Sequence, residues 1–282
     1  MEERLDDDVG SMSEETAAMI AQTAEWCFSA RHLVVLTGAG VSAESGVPTF
    51  RDKNGLWDKY DVTTLATPDA FEKDPAHVWK WYDWRRQRCA GVGPNAGHYA
   101  IVELERDVEE RGGRFTLITQ NIDNLHNVAG SRNVLELHGN IWKVRLAGTS
   151  PDDISVREHL ECPIAELPPR DEHGRLLRPH IIWFGEMLSP AVIQGAQLAA
   201  QRADVMIVAG TANVVYPSAS LPYMVLNRGG KVVNINPGVS ELSGKSTLTI
   251  NEKSGVVLPA LVNEIRRLRG DQGSGSQAEA NS

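Results

Sequence analysis

Among the eight histidines, the side chains suited to moving a proton at neutral pH, His138 in the run Leu137-His138-Gly139-Asn140 stands just beyond the end of a predicted strand. An imidazole titrates near pH 6.5, whereas a carboxylate is a poor base there and a lysine is already protonated. Three other stretches have residue types and spacing that could do chemistry. Gly38-Ala39-Gly40, completed by Ala43 as G-x-G-x-x-A, allows a tight turn whose backbone N–H groups can approach a pyrophosphate. It continues through Ser42, Ser45, Thr49, Phe50 and Arg51, the composition of an ordered binding loop ending in a cation suited to a phosphate or carboxylate. Gln120-Asn121-Ile122-Asp123 offers amides and a carboxylate, with a cap for a following helix as the lesser reading of Asp123. Tyr82 and Arg85 stand at i and i+3 of a helical pattern, so hydroxyl and guanidinium can converge on one carboxylate.

Buried strands must position these groups. Leu33–Leu36 and Phe115–Thr119 read as strands covered on both faces, and Val134–Leu137 as a third, shorter one. The glycine turn, the Gln120–His126 cluster and His138 each follow the carboxyl end of a strand, where open parallel sheets bind ligands. Ser11 and Glu14 are spaced as a capping box for a helix to about Ala30, and a helix from Asn95 to Arg111 is closed by Gly112-Gly113. This β-α-β rhythm predicts an α/β fold with a parallel sheet and helices on both faces. It resumes with a helix from Ser189 to Arg202, strands Val205–Ala209 and Val232–Ile235 ending in Gly210-Thr211 and Asn236, and a last helix from about Val257 to Arg269. Two segments interrupt it: an aromatic, helical stretch at 53–94 and an irregular, proline-rich stretch at 141–180, together expected to form a small inserted lobe. Residues 1–12 read as a disordered acidic leader, 13–269 as a single catalytic domain and 270–282 as a flexible tail.

Composition narrows the class. A net charge of −9 argues against direct nucleic-acid binding. Cys27, Cys89 and Cys162 form no close pair, which fits a reducing compartment. No apolar run is long enough for a membrane span and the first residues are acidic, so a cytoplasmic location is expected.

The motifs together resemble the sirtuins, the NAD-dependent protein deacylases. GAGVSAESGVPTFR is similar to the family's GAGxSxxSGIPxFR, TQNIDNLH to TQNIDxLH, HGN to its HG motif, WFGE to its substrate-strand motif, GTANVVYP to GTSxxVxP, and NINPG to its Ile-Asn step. The resemblance implies a Rossmann-type large lobe, with NAD and an acyl-lysine protein or peptide meeting in the cleft beside the small lobe. It assigns Gly38, Ala39, Gly40, Ser42, Ser45, Phe50, Arg51, Gln120, Gly210, Thr211, Asn236 and Ser254 to NAD, and Asn121 and Asp123 to the nicotinamide carboxamide. The acyl oxygen attacks the anomeric carbon of the nicotinamide ribose, nicotinamide leaves, and His138 activates a ribose hydroxyl, giving O-acyl-ADP-ribose. Substrate contacts are implied for Ile182, Phe184, Gly185, Glu186 and Val215.

Three departures from the family pattern matter. The two cysteine pairs that hold a structural zinc in most sirtuins are missing from HGNIWKVRLAGTS and PPRDEHGR, so a zinc site is not expected. The lobe is then to be held by packing of Ile141, Trp142, Ile154, Leu160, Ile164, Leu167 and Leu176. Ala212 replaces the serine of GTS, and Thr49 stands where many members carry aspartate. The Y-x-x-R of Tyr82 and Arg85, with Ala66 as the small residue of an enlarged acyl pocket, resembles the class III branch, which removes acidic acyl groups. Succinyl or malonyl removal, with weak deacetylation, is therefore expected. The alternatives are ADP-ribosyl transfer or NAD hydrolysis at the same site, or a regulatory NAD-binding module without turnover.

Overall fold

The computed structural model describes residues 12–49 and 62–279, except the side chains at 62–63 and 271–279. Six parallel strands form the main sheet in the order β3-β2-β1-β7-β8-β9. They are β1 (His32–Thr37), β2 (Arg114–Thr119), β3 (Val134–Glu136), β7 (Val205–Ala209), β8 (Lys231–Ile235) and β9 (Leu248–Ile250). β1 is central because its six residues are all buried, as expected of a run with no polar face. The chain winds outward from β1 in one direction to β3 and in the other to β9. The strand order therefore reverses between β1 and β7, the switch point beyond whose strand ends open sheets leave a crevice.

Helices cover both faces. On one lie α1 (Glu14–Ser29), α6 (Ala96–Glu110) and α10 (Ser254–Glu279), packed on Leu33, Val35, Leu117 and Ile207. On the other, α8 (Pro190–Arg202) and α9 (Leu221–Leu226) cover Val34, Leu36, Met206 and Val208. α6 is amphipathic and opens with the Asn95 side chain accepting from the Gly97 and His98 N–H groups, while His98 Nδ1 accepts from the Asn95 N–H. α1 is capped by Ser13, whose hydroxyl accepts from the Thr16 N–H. Ser11, expected to open that helix, lies outside the described residues. α10 runs ten residues past the expected end at Arg269; glycine is a poor helix former, and nothing in GDQGSGSQAE accounts for the extension.

The 141–180 segment, expected to be irregular, is framed by an antiparallel sheet. It is ordered β5-β4-β6 from β4 (Gly139–Leu146), β5 (Arg157–Glu158) and β6 (Leu177–Ile181). Ile141, Val144, Leu177 and Ile181 from it pack with Phe71, Val78, Trp79 and Trp81 of α4 (Pro68–Lys73) and α5 (Pro75–Ala90), so one apolar cluster joins both interrupting segments. Ile154 and Leu160 are exposed and do not help to hold it. Ile154 sits in a turn, and apolar type alone does not put a turn residue inside. Buried ion pairs reinforce the cluster: Arg178 and Arg145 both face Glu186, at 2.6 Å and 3.8 Å. Among the described residues no group of three or more His, Cys, Asp or Glu could hold a metal ion, and no helix is long and apolar enough to cross a membrane.

Candidate active site

The crevice after β1 and β7 opens into a cleft of about 970 Å³ that reaches the three-stranded sheet and α5. Its floor is bare backbone. The Gly40 N–H donates to Gly210 O at 2.8 Å, and a Cβ on Gly38 would lie 2.6 Å from Thr211 Cβ. Gly210 has φ +62, and a Cβ there would lie 2.4 Å from Val41 N. Only glycine lets these loops meet, which explains the residue types at both strand ends.

Around the floor stand most of the residues singled out by motif. Ala39, Gln120, Asn121, His138, Thr211, Asn236, Ser254 and Val215 line the cleft, as do Ala66, Tyr82, Arg85, Ile182, Phe184, Gly185 and Glu186. Several are held by one another. Gln120 Nε2 donates to Thr211 Oγ1 (3.1 Å), and Asn236 Nδ2 to Thr211 O (3.2 Å). Asn121 Nδ2 donates to Gly38 O (3.0 Å) and Ser42 Oγ (3.1 Å), which commits its nitrogen and leaves Oδ1 uncommitted by these bonds. Ser42 is fully buried behind the floor, and Ser45 accepts from Asn95 Nδ2 (2.9 Å) away from the cleft. Asp123 lines a small adjoining cavity with Ser42 and Arg85. Its Oδ1 accepts from the Leu125 N–H at 2.9 Å, but the N-cap position of the short helix Leu125–Ala129 is held by Asn124. Burial raises the Asp123 carboxyl pKa, against the lowering effect of the Leu125 bond. Phe50 and Arg51 lie outside the described residues.

His138 Nδ1 is 3.0 Å from Gln120 O. A carbonyl can only accept, so Nδ1 carries the proton and Nε2 bears the lone pair. Burial lowers its pKa below the ordinary 6.5, the Gln120 bond only partly opposing this, and the ring is neutral at pH 7. A neutral imidazole of fixed tautomer on a cleft wall can accept a proton.

At the other end Tyr82 and Arg85 meet on the face of α5, the Arg85 guanidinium 5.7 Å from the Tyr82 ring centroid and 4.9 Å from that of Trp81. Burial pushes the Tyr82 hydroxyl up to about 12, so it keeps its proton. Glu186, expected at the substrate, turns inward: it accepts twice from Arg178 (2.6 and 2.9 Å) and once from the Trp183 N–H (2.8 Å). Burial alone would raise its pKa, but these bonds hold it below the carboxylate norm.

Motif spacing passed over three groups. Glu44, on the cleft wall, accepts from the Gly255 N–H and from the Ser254 hydroxyl. His98 and His126 pack with ring centroids 4.8 Å apart and planes tilted by 55° behind the site, bonding Ser42 and Thr37. Trp183 bonds Tyr82. The W of WFGE was the available signal for Trp183 and the last residue of TQNIDNLH for His126; for His98, which meets Ser42 from a separate helix, the sequence carries none.

The sequence profile of the Sir2 family matches residues 38–217. An "NAD-dependent protein deacylase 1" of Archaeoglobus fulgidus is 48% identical over 237 residues, covering 84% of this chain and 94% of that protein. A solved variant of a Sir2 homologue in complex with ADP ribose is 44% identical with a TM-score of 0.81, over 92% of this chain and 98% of that one. A Sir2 homologue–NAD complex is 46% identical with a TM-score of 0.78, over 91% of this chain and 95% of that one. With its glycine floor, its strand order and its histidine at the cleft wall, the chain belongs to the Sir2 family.

Proposed function

We propose that this protein is an NAD-dependent protein-lysine deacylase that prefers acyl groups ending in a carboxylate, succinyl or malonyl, over acetyl. The observation that carries the reading is that His138 and the Tyr82–Arg85 pair open onto one cleft, whose remaining wall is the glycine floor. NAD, when bound, supplies the electrophilic carbon at which the acyl oxygen displaces nicotinamide. The residues fit it: the two strand-end loops, which can touch only because Gly38, Gly40 and Gly210 lack a Cβ, leave backbone on the cleft floor against which a diphosphate can lie, and Thr211, Asn236 and Ser254 offer partners for ribose hydroxyls. The Asn121 amide oxygen and Asp123 suit a carboxamide. His138 Nε2, already lacking a proton, takes one from a ribose hydroxyl. Tyr82 and Arg85 bind the far end of the acyl chain, and Ala66 leaves room for it.

The small lobe, in this reading, is the three-stranded sheet with α4 and α5, held by apolar packing and the Arg178–Glu186–Arg145 cluster without zinc. Three unpaired cysteines accord with a cytoplasmic location.

Initial rates on one peptide carrying succinyl- or acetyl-lysine test the acyl assignment, with products identified by mass spectrometry. A charge-assisted bond is worth about 1.5 to 3 kcal/mol, so kcat/KM should favour succinyl by about tenfold to a hundredfold or more. Arg85→Met should remove most of that ratio and Tyr82→Phe a smaller part. A wild-type enzyme faster on acetyl-lysine refutes the assignment.

A further inference from the structure

We propose that Trp183 is a positioning residue for acyl selectivity: its indole N–H takes up the acceptor side of the Tyr82 hydroxyl and commits that hydroxyl to donating toward the end of the acyl chain. The inference rests on the acyl-pocket reading above and adds a residue with a different job. Trp183 Nε1 lies 2.8 Å from the Tyr82 oxygen, and both side chains are buried. An indole N–H can only donate, so the phenol oxygen accepts and its own proton must point elsewhere. Among the described residues that proton has no acceptor, and Tyr82 lines the cleft beside Arg85 and Ala66. Left alone, a hydroxyl rotates and can turn a lone pair toward a ligand. Here the lone pair is occupied, and an N–H donating into an O–H also polarises it into a stronger donor. The pocket end thus presents donors, which suits an acyl terminus that only accepts, as a carboxylate does.

The indole is held in place from three sides. The Arg178 guanidinium sits 3.5 Å from its ring centroid, and Arg178 is itself fixed by two bonds to Glu186 and one to Ile181 O (3.1 Å). Glu186 also accepts from the Trp183 backbone N–H, and the Phe71 ring packs at 5.1 Å. The buried Arg178–Glu186 pair therefore does more than close the lobe. It keeps the indole from swinging away from Tyr82.

The test compares the succinyl-to-acetyl ratio of kcat/KM in wild type, Trp183→Phe, Tyr82→Phe and the double variant. A further enzyme carries benzothienylalanine at 183, which keeps the bicyclic ring and replaces N–H by sulfur, so that packing is preserved if the phenylalanine variant folds poorly. Loss of one hydrogen bond in the chain should lower the ratio about three- to tenfold in both Trp183 variants. Adding Trp183→Phe to Tyr82→Phe should lower it no further, because the indole acts through the phenol. An unchanged ratio in the benzothienylalanine enzyme overturns the inference, as does an equal drop in the Tyr82→Phe background, which would mean general loosening. If Arg85→Met abolishes selectivity while the benzothienylalanine enzyme retains it, the role of Trp183 is refuted and the pocket reading stands. A wild type with no acidic preference refutes both.

Discussion

Acidification from pH 7.5 to 5.0 should destabilise this protein well above the range where carboxylates titrate, and the His98–His126 pair behind the site should account for much of the loss. Asn95 donates its N–H to His98 Nδ1, so the His98 proton is on Nε2, facing Ser42 at 3.4 Å. Thr37 gives its hydroxyl proton to Thr119, so it must accept from His126 Nε2 at 2.9 Å. That leaves His126 Nδ1 buried with no partner. A second proton on His98 would break the cap of α6, and one on His126 would create a buried N–H with nothing to bond. Burial accordingly lowers His98 to about 4 and His126, with repulsion from its neighbour added, to about 3, against 6.5 for both in the unfolded chain. Folded values below the unfolded one mean that the unfolded chain binds more protons under pH 6.5. Stability from this source is complete above pH 6.5 and is lost progressively from there down toward pH 4 and 3. At pH 5 each histidine has cost about 2 kcal/mol, about 4 kcal/mol for the pair, large against a total of about 5 to 15. Denaturant unfolding at half-unit pH steps measures it. His126→Gln should flatten the slope by close to one proton, about 1.4 kcal/mol per pH unit between pH 5 and 6, whatever it does to stability at pH 7.5. Stability independent of pH from 6.5 to 5.0, or a variant with the wild-type slope, would refute the assignment of buried neutral rings.

His138→Ala should keep NAD affinity while lowering deacylation about 10²-fold or more, measured by isothermal titration beside turnover. In the wild type the acid limb of kcat/KM should have its midpoint below 6.5, because burial depresses this imidazole; a midpoint above 7 would point to another base. The purified chain should contain no stoichiometric zinc, and a chelator should leave its melting temperature unchanged, because the segments that would carry paired cysteines have none. One zinc per chain by elemental analysis would contradict this.

Sequence alone determined the parts that depend on local chemistry. The apolar runs Leu33–Leu36 and Val205–Ala209 had to be buried strands because neither has a polar face, and Gly38 and Gly210, each just after one of them, had to end it. The start of α8 at its Ser189 cap was legible for the same reason, since a cap is set within a few residues. What came only from the tertiary structure are pairings between distant positions. The antiparallel partnership of β4 with β6 joins residues more than thirty apart, across a segment whose prolines and charges hide any alternation. Ile154 and Leu160 look like core in the chain and lie outside in the fold, Ile154 in a turn and Leu160 in the irregular stretch after β5. Asp123 could be read as cap or ligand partner; Asn124 takes the cap position, while Asp123 bonds the Leu125 N–H and faces the small cavity beside the site. The contacts Trp183–Tyr82, Arg178–Glu186 and His98–His126 follow no spacing rule. A hydrogen bond or a lost pKa unit depends on which atoms end within about 3 Å of each other, and only packing of the whole chain brings those atoms together.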